Sequence, residues 1–207
     1  LELNKFMKRI EESGALETGR NSRELCDFIS THVDLNTIRQ WLSDIVHKHP
    51  DDKLSNLASL MEIHPLGFEK YVLWDSSTGQ RARLHYWPQN KWPFESIHDH
   101  RFNFCAIVIK GHYIHEEYDV NERRDTDEVK ITLTRKQIVD TGQCYYFQAG
   151  TFHRIIPSDE ETISLIIRSS PLLPYSRVVN PETLKMKRAY GAVKKFKEKI
   201  KVLESVI

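Results

Sequence analysis

Apolar residues in this 207-residue chain recur every three or four positions as far as Met61, and at closer, strand-like spacing from Phe68 onward. That change of period, at His64-Pro65-Leu66-Gly67, constrains the fold most, because a 3.6-residue stripe suits a helix and a two-residue alternation suits a strand. Ahead of it, Leu3, Phe6, Met7 and Ile10 make one stripe, punctuated by Gly14 and Gly19. Asn21-Ser22-Arg23-Glu24 offers capping chemistry before Leu25, Phe28 and Ile29. Asp34-Leu35-Asn36 leads into Ile38, Trp41, Leu42, Ile45 and Val46, a stripe that Pro50 stops; Leu54, Leu57, Leu60 and Met61 make one more. These stripes read as packing faces, so residues 1–63 are expected as a helical extension laid over the remainder of the chain.

Beyond the boundary, aromatic and β-branched runs alternate with turn residues. Strands are expected over 68–74, 81–87, 97–109, 112–120, 129–133, 137–140, 144–147, 154–156 and 162–168, separated by a turn at 75–79 and loops at 88–94 and 121–128. The strands 97–109 and 112–120 are expected to pair across Lys110-Gly111. About nine short strands at this spacing imply a mainly β fold, a closed or sandwiched barrel over 64–175. From Pro181-Glu182 the chain reads as helix again, giving a C-terminal helical segment over 176–207. Its Lys194, Lys195, Lys197, Lys199 and Lys201 read as a solvated helix surface.

Net charge is +1, so no electrostatic footprint for nucleic acid or a membrane surface is present. No apolar run approaches the roughly 18 residues that cross a bilayer. The three cysteines, Cys26, Cys105 and Cys144, are odd in number and far apart, which argues against a disulfide framework and for a reducing, cytoplasmic setting. The expectation is a soluble intracellular protein acting on small molecules; composition leaves the oligomeric state open.

Chemistry concentrates in two stretches. His98 and His100 stand two apart ahead of an apolar run, so on a continuing strand both imidazoles would share one face. His153 comes after a glycine turn that ends the run 144–147. Three imidazoles converging inside a barrel would form a metal site. A lone His-x-His is a weak signal, but the spacing Gly142, five residues, Gln148, one residue, Gly150, two residues, His153 adds structure to it.

Together these stretches resemble the cupin superfamily, whose motifs are G-x5-H-x-H-x3-4-E-x6-G and G-x5-P-x-G-x2-H-x3-N. Gly111 closes the first motif here, Gln148 stands in place of the proline and Pro157 in place of the asparagine. The resemblance covers roughly 68–170 and implies a double-stranded β-helix (jelly-roll) barrel with a metal inside, flanked by the N-terminal helical layer and the C-terminal helix. The family's glutamate ligand would fall at Phe104 or Cys105, neither of them a carboxylate. Three neutral imidazoles leave a ferrous ion its full charge and open positions, favouring an anionic substrate beside O2.

A second, narrower likeness lies within that family. Ile97-His98-Asp99-His100, with a cysteine five residues after His100, looks like the cysteine dioxygenase branch, and His153-Arg154-Ile155 is similar to that branch's third-ligand segment. The resemblance implies Fe(II) as cofactor and oxidation of a small anionic thiol to a sulfinic acid. By alignment Arg168 takes the position of the tyrosine that cross-links to cysteine in many members, so no thioether is expected at Cys105. The branch's substrate-binding arginine is missing where Tyr71-Val72-Leu73 stands. Arg168 is therefore the first candidate for the substrate's carboxylate, with Arg83 or Arg81 as replacements, because bidentate binding needs a guanidinium. Phe104 and Cys105 are expected to shape the wall, His112 and His115 to lie at the surface or behind the ligands. Two rivals stay open: a three-histidine cupin oxygenase or isomerase of non-thiol chemistry, and a non-enzymatic metal-binding module.

Overall fold

The computed structural model describes residues 1–63, 68–88, 96–123, 126–190 and 192–204. The expected boundary at 64–67, most of the loop at 88–94, residues 124–125 of the charged loop and the side chains of Lys194 and Lys195 lie outside the described residues.

The chain opens with α1 (Leu3–Ser13), α2 (Ala15–Thr18), α3 (Ser22–His32), α4 (Leu35–Lys48) and α5 (Asp51–Ser59). Each stripe read from the sequence is buried in part, through Phe6, Met7 and Ile10 on α1, Leu25 and Ile29 on α3, Ile38 and Trp41 on α4, and Leu57 on α5, whereas Leu42, Val46 and Met61 are exposed. Asp34 caps α4, its Oδ1 accepting from the Thr37 N–H at 2.7 Å. The capping expected at Asn21 is not made by a side chain; Asn21 instead takes a left-handed backbone conformation ahead of α3.

Twelve strands come next among the described residues: β1 (Glu62–Ile63), β2 (Glu69–Asp75), β3 (Arg81–Trp87), β4 (Ile97–His98), β5 (Phe104–Lys110), β6 (His112–Glu122), β7 (Val129–Asp140), β8 (Cys144–Phe147), β9 (Phe152–Pro157), β10 (Thr162–Arg168), β11 (Tyr175–Asn180) and β12 (Lys185–Tyr190), then α6 (Ala192–Glu204). They form two sheets, β1-β2-β3-β10-β5-β8 and β12-β11-β4-β9-β6-β7. From β3 to β10 the chain crosses from sheet to sheet at every connection except the β6–β7 hairpin, and every pairing is antiparallel. The facing sheets, with the orders β3-β10-β5-β8 and β4-β9-β6-β7, make an eight-stranded jelly roll, an architecture that cupins share with lectins and capsid proteins.

Three sequence expectations are corrected. The single strand over 97–109 is two strands in opposite sheets, so β5 and β6 do not pair as a hairpin. Gly111 redirects the chain between sheets with φ of 75°, and a Cβ there would meet the Glu161 carbonyl and Thr162 Oγ1 at 2.7 Å. Gly111→Ala is expected to lower stability by about 2–4 kcal/mol, read as a shift in the urea midpoint at unchanged m-value. The segments 129–133 and 137–140 form one strand, β7, with an irregularity in its pairing at Glu117/Tyr118. Finally, 175–190 is not helix. The β11–β12 hairpin adds to the second sheet, because β11 pairs with β4 through Val178↔His98 and Val179↔Ile97.

The helical layer lies on the outer face of the first sheet. On β5, Cys105, Ile107 and Ile109 join the core built by α1, α3 and α4, while Phe104, Ala106 and Val108 face the barrel interior. A strand buried on both faces loses the polar alternation of a half-exposed one, as the run Phe104–Ile109 shows. Each fully buried aliphatic or aromatic side chain here contributes on the order of 2 kcal/mol. Asn103 pins the layer to the barrel: its Nδ2 donates to the Leu16 and Glu17 carbonyls (3.1 and 2.8 Å), and its Oδ1 accepts from Ala149 N–H at 2.8 Å. No helix among the described residues is long and apolar enough to cross a membrane.

Candidate metal centre

His98 ends β4 and is the direct cross-strand partner of His153 on β9, which brings opposing side chains within contact range. His100 lies just past β4, so it is not on the same strand as His98. Its carbonyl accepts the Gly150 N–H at 3.0 Å, and that bond ties the loop to the glycine turn that leads into His153. The spacing from Gly150 to His153 thus has a physical meaning: a left-handed glycine (φ 81°) closes the turn, holds His100 and delivers the third imidazole.

One nitrogen from each of His98, His100 and His153 lies within 4.8 Å of the others. His100 Nε2 and His153 Nε2 are 2.9 Å apart, about the separation of two adjacent ligands at metal–nitrogen distances near 2.1 Å. His98 Nδ1 is 2.9 Å from the Ser96 carbonyl; donating there leaves the His98 Nε2 lone pair free. His153 Nδ1 is 2.9 Å from His115 Nε2. With His115 accepting that proton, the His153 Nε2 lone pair is likewise free. Burial is the main cause that holds His100 and His153 well below the ordinary imidazole range, and it pulls His115 down to about 4. Three imidazoles, two of them with the outer nitrogen on a fixed acceptor, form a donor set that fits a divalent transition metal.

His115, expected at the surface or behind the ligands, is fully buried; it stands directly behind His153, stacked on Tyr145 with ring centroids 4.7 Å apart. Replacing His115 by Leu removes the acceptor and is expected to weaken metal affinity by roughly 10–100-fold, while Gln, which can still accept, recovers part of it. Competition with a metallochromic chelator checks this.

The ligands border a cavity of about 310 Å³ whose lining includes Lys70, Arg83, His85, Phe102, Phe104 and Tyr145. Phe104 forms wall as expected, its ring edge-on to His100 at 5.2 Å. Arg83 lines the cavity, and its Nε is buried without a hydrogen-bond partner. Burial, with Arg81 second, pulls the Arg83 guanidinium down to about 10. Arg168 is buried too but is not part of the lining; its Nη1 donates to the Ser169 carbonyl at 3.0 Å. Both guanidiniums lie over the ring of Phe102, at 5.4 Å for Arg83 and 4.7 Å for Arg168, and that ring stacks on His100 at 5.0 Å. Arg81 is held by Asp75.

Cys105 is corrected. It points to the helical layer, away from the cavity, and belongs to the core shared with Cys26 and Cys144. A cysteine in that place neither touches substrate nor shapes the wall, which removes one residue from the narrower likeness drawn from the sequence.

Sequence reasoning assigned Asp99 no role beyond its place in the segment 97–100, and Arg177 none. Asp99 is 1% exposed; its Oδ2 accepts from Arg177 Nε at 2.6 Å and its Oδ1 from the Arg177 N–H. Arg177 Nη2 donates to the Gly150 carbonyl at 3.0 Å. This clamp joins the residue between the two ligands to β11 and to the turn before His153.

No family model matches the sequence, and no curated protein matches it. Solved structures similar to the chain include the DMSP lyases RdDddP and RnDddQII (15% identity, TM-score 0.36, 50% of this chain and 47% of that one). They also include FeII HppE (10%, TM-score 0.40, 52% and 54%) and an RmlC-like cupin from Shewanella frigidimarina (14%, TM-score 0.38, 53% and 81%). The chain spans about half the length of the first two. Such distant likenesses carry no functional argument, and the jelly-roll assignment rests on the strand order.

Proposed function

We propose that the chain is a metal-dependent enzyme in which His98, His100 and His153 hold Fe(II), and that it oxidises a small anionic thiol with O2 to a sulfinic acid, as cysteine dioxygenases do. The observation that carries this reading is the pairing of a three-imidazole centre with a small cavity lined by Arg83, whose buried Nε has no hydrogen-bond partner. When bound, the iron supplies Lewis acidity and electrons for reaction with O2. Both atoms of O2 enter the sulfinate, so the overall reaction needs no external reductant.

The chain's own residues bind and orient. Arg83 receives the substrate's carboxylate, replacing the early-strand arginine that Tyr71-Val72-Leu73 lacks. Lys70 and, behind Phe102, Arg168 add positive potential at that end of the cavity. Phe102 and Phe104 exclude water beside His100. His115 accepts and holds the proton on His153 Nδ1.

Oxygen uptake by anaerobically iron-loaded protein tests the reading, against cysteine, 3-mercaptopropionate and cysteamine, with His153→Ala as control. Uptake equimolar with a carboxylate-bearing thiol and absent with cysteamine is the expected result; tight iron binding without thiol-dependent uptake would retire it. A non-thiol anionic substrate for the same centre is the second reading, favoured by the position of Cys105 outside the cavity.

A further inference from the structure

The three cysteines, which sequence spacing sets far apart, meet where α3 packs on β5 and β8. Cys26 Sγ on α3 lies 3.9 Å from Cys105 Sγ on β5. Cys144 on β8 belongs to the same packed group, and all three are free thiols. Cys26 and Cys144 are partly exposed, whereas Cys105 is buried. The Cys26 and Cys105 sulfurs are in van der Waals contact, roughly 2 Å beyond disulfide bonding distance.

We propose that Cys26 and Cys105 form a peroxide-sensitive dithiol that closes to an intrachain disulfide, clamping α3 onto the strand whose opposite face forms the cavity wall. The partly exposed Cys26 is the thiol that peroxide reaches. Its thiolate attacks one peroxide oxygen, the O–O bond breaks, and Cys26 becomes a sulfenic acid as, with uptake of one proton, one water leaves. The Cys105 sulfur then attacks the Cys26 sulfur, the S–S bond forms, and the hydroxyl departs as a second water with the Cys105 proton. Two electrons pass from the two thiols to one peroxide.

Two further observations support this pair. The neighbouring thiols of Cys105 and then Cys144 lower the Cys26 pKa against the burial that raises it, the condition for a reactive thiolate. Cys105 and Phe104 are adjacent on β5 and face opposite ways, so a bond at one bears on the backbone that positions the other. Chains in a reducing compartment that carry such pairs use them transiently, for sensing rather than as staples.

The test is stoichiometric hydrogen peroxide on the native, metal-free full chain, then thiol counting in denaturant and peptide mapping. Accessible thiols should fall from 3 to 1, with a crosslink between the peptides of Cys26 and Cys105 that dithiothreitol reverses. Cys144→Ser should fall from two thiols to none. Cys26→Ser, a change on a half-exposed helix face, should keep both of its thiols at the same dose. Retention of all three thiols in the native chain, a crosslink that maps only to Cys144, or disulfides found only between chains would each overturn the proposal.

Discussion

Substituting His153 by Ala is expected to leave a folded protein that does not retain a transition metal. His153 is the most connected of the three ligands, with its Nε2 facing His100, its ring 4.7 Å from that of His98, and its Nδ1 on His115. Loss of affinity should exceed the roughly 100-fold seen for partners behind a ligand, because one of three direct metal contacts is gone. Removing a buried ring and stranding its hydrogen-bond partner should also cost about 1–3 kcal/mol. Metal content after dialysis, read beside far-UV circular dichroism, separates the two effects. Full occupancy in the folded variant would sink the assignment.

The second large effect is structural. Asp99→Ala is expected to cost about 2 kcal/mol, since it removes the nearer carboxylate of Arg177, leaving Glu122 at 3.5 Å and the Gly150 carbonyl, and also removes the acceptor of the Arg177 N–H. The loop carrying His100 and the turn before His153 lose their common anchor, so metal affinity falls as well, although Asp99 is not among the ligating group. Asp99→Asn keeps the shape and one acceptor oxygen, and should recover part of the stability. Thermal melts of the metal-free forms give the first quantity, and chelator competition gives the second. A melt unchanged in Asp99→Ala would show that the clamp contributes little.

The jelly roll was legible because apolar spacing changes near residue 64 and turn residues recur at short intervals thereafter. The imidazoles were legible for a partly different reason than the alternation suggested. His98 and His100 converge because β4 ends at His98 and the chain bends through Asp99, a bend held by Arg177 from far along the sequence. Buried side-chain bonds between distant residues leave no periodic trace, which is why the roles of Asp99, Arg177 and Asn103 escaped notice. The C-terminal hairpin was hidden by lysine-rich composition that favours helix. Pairing with β4 and β11 overrides that propensity, and the turn is closed by Asn180 Oδ1, which accepts the Glu182 and Thr183 N–H groups. Arg168 stood first among the guanidiniums by its aligned position, which could not tell the cavity from the packed layer behind Phe102.

The late pairing of β4 has a consequence for biogenesis. As the chain leaves the ribosome, His98 and its strand emerge first, then wait while the partner on the other side, Val178 and Val179, is still being made. At ordinary rates of translation that interval is about 4–16 s. Until it ends, β4 is a sheet edge and the Asp99 carboxylate lacks its arginine. Metal capture is therefore expected to come after synthesis of β11 rather than to guide it, and chains truncated before residue 175 should emerge without a stable binding site.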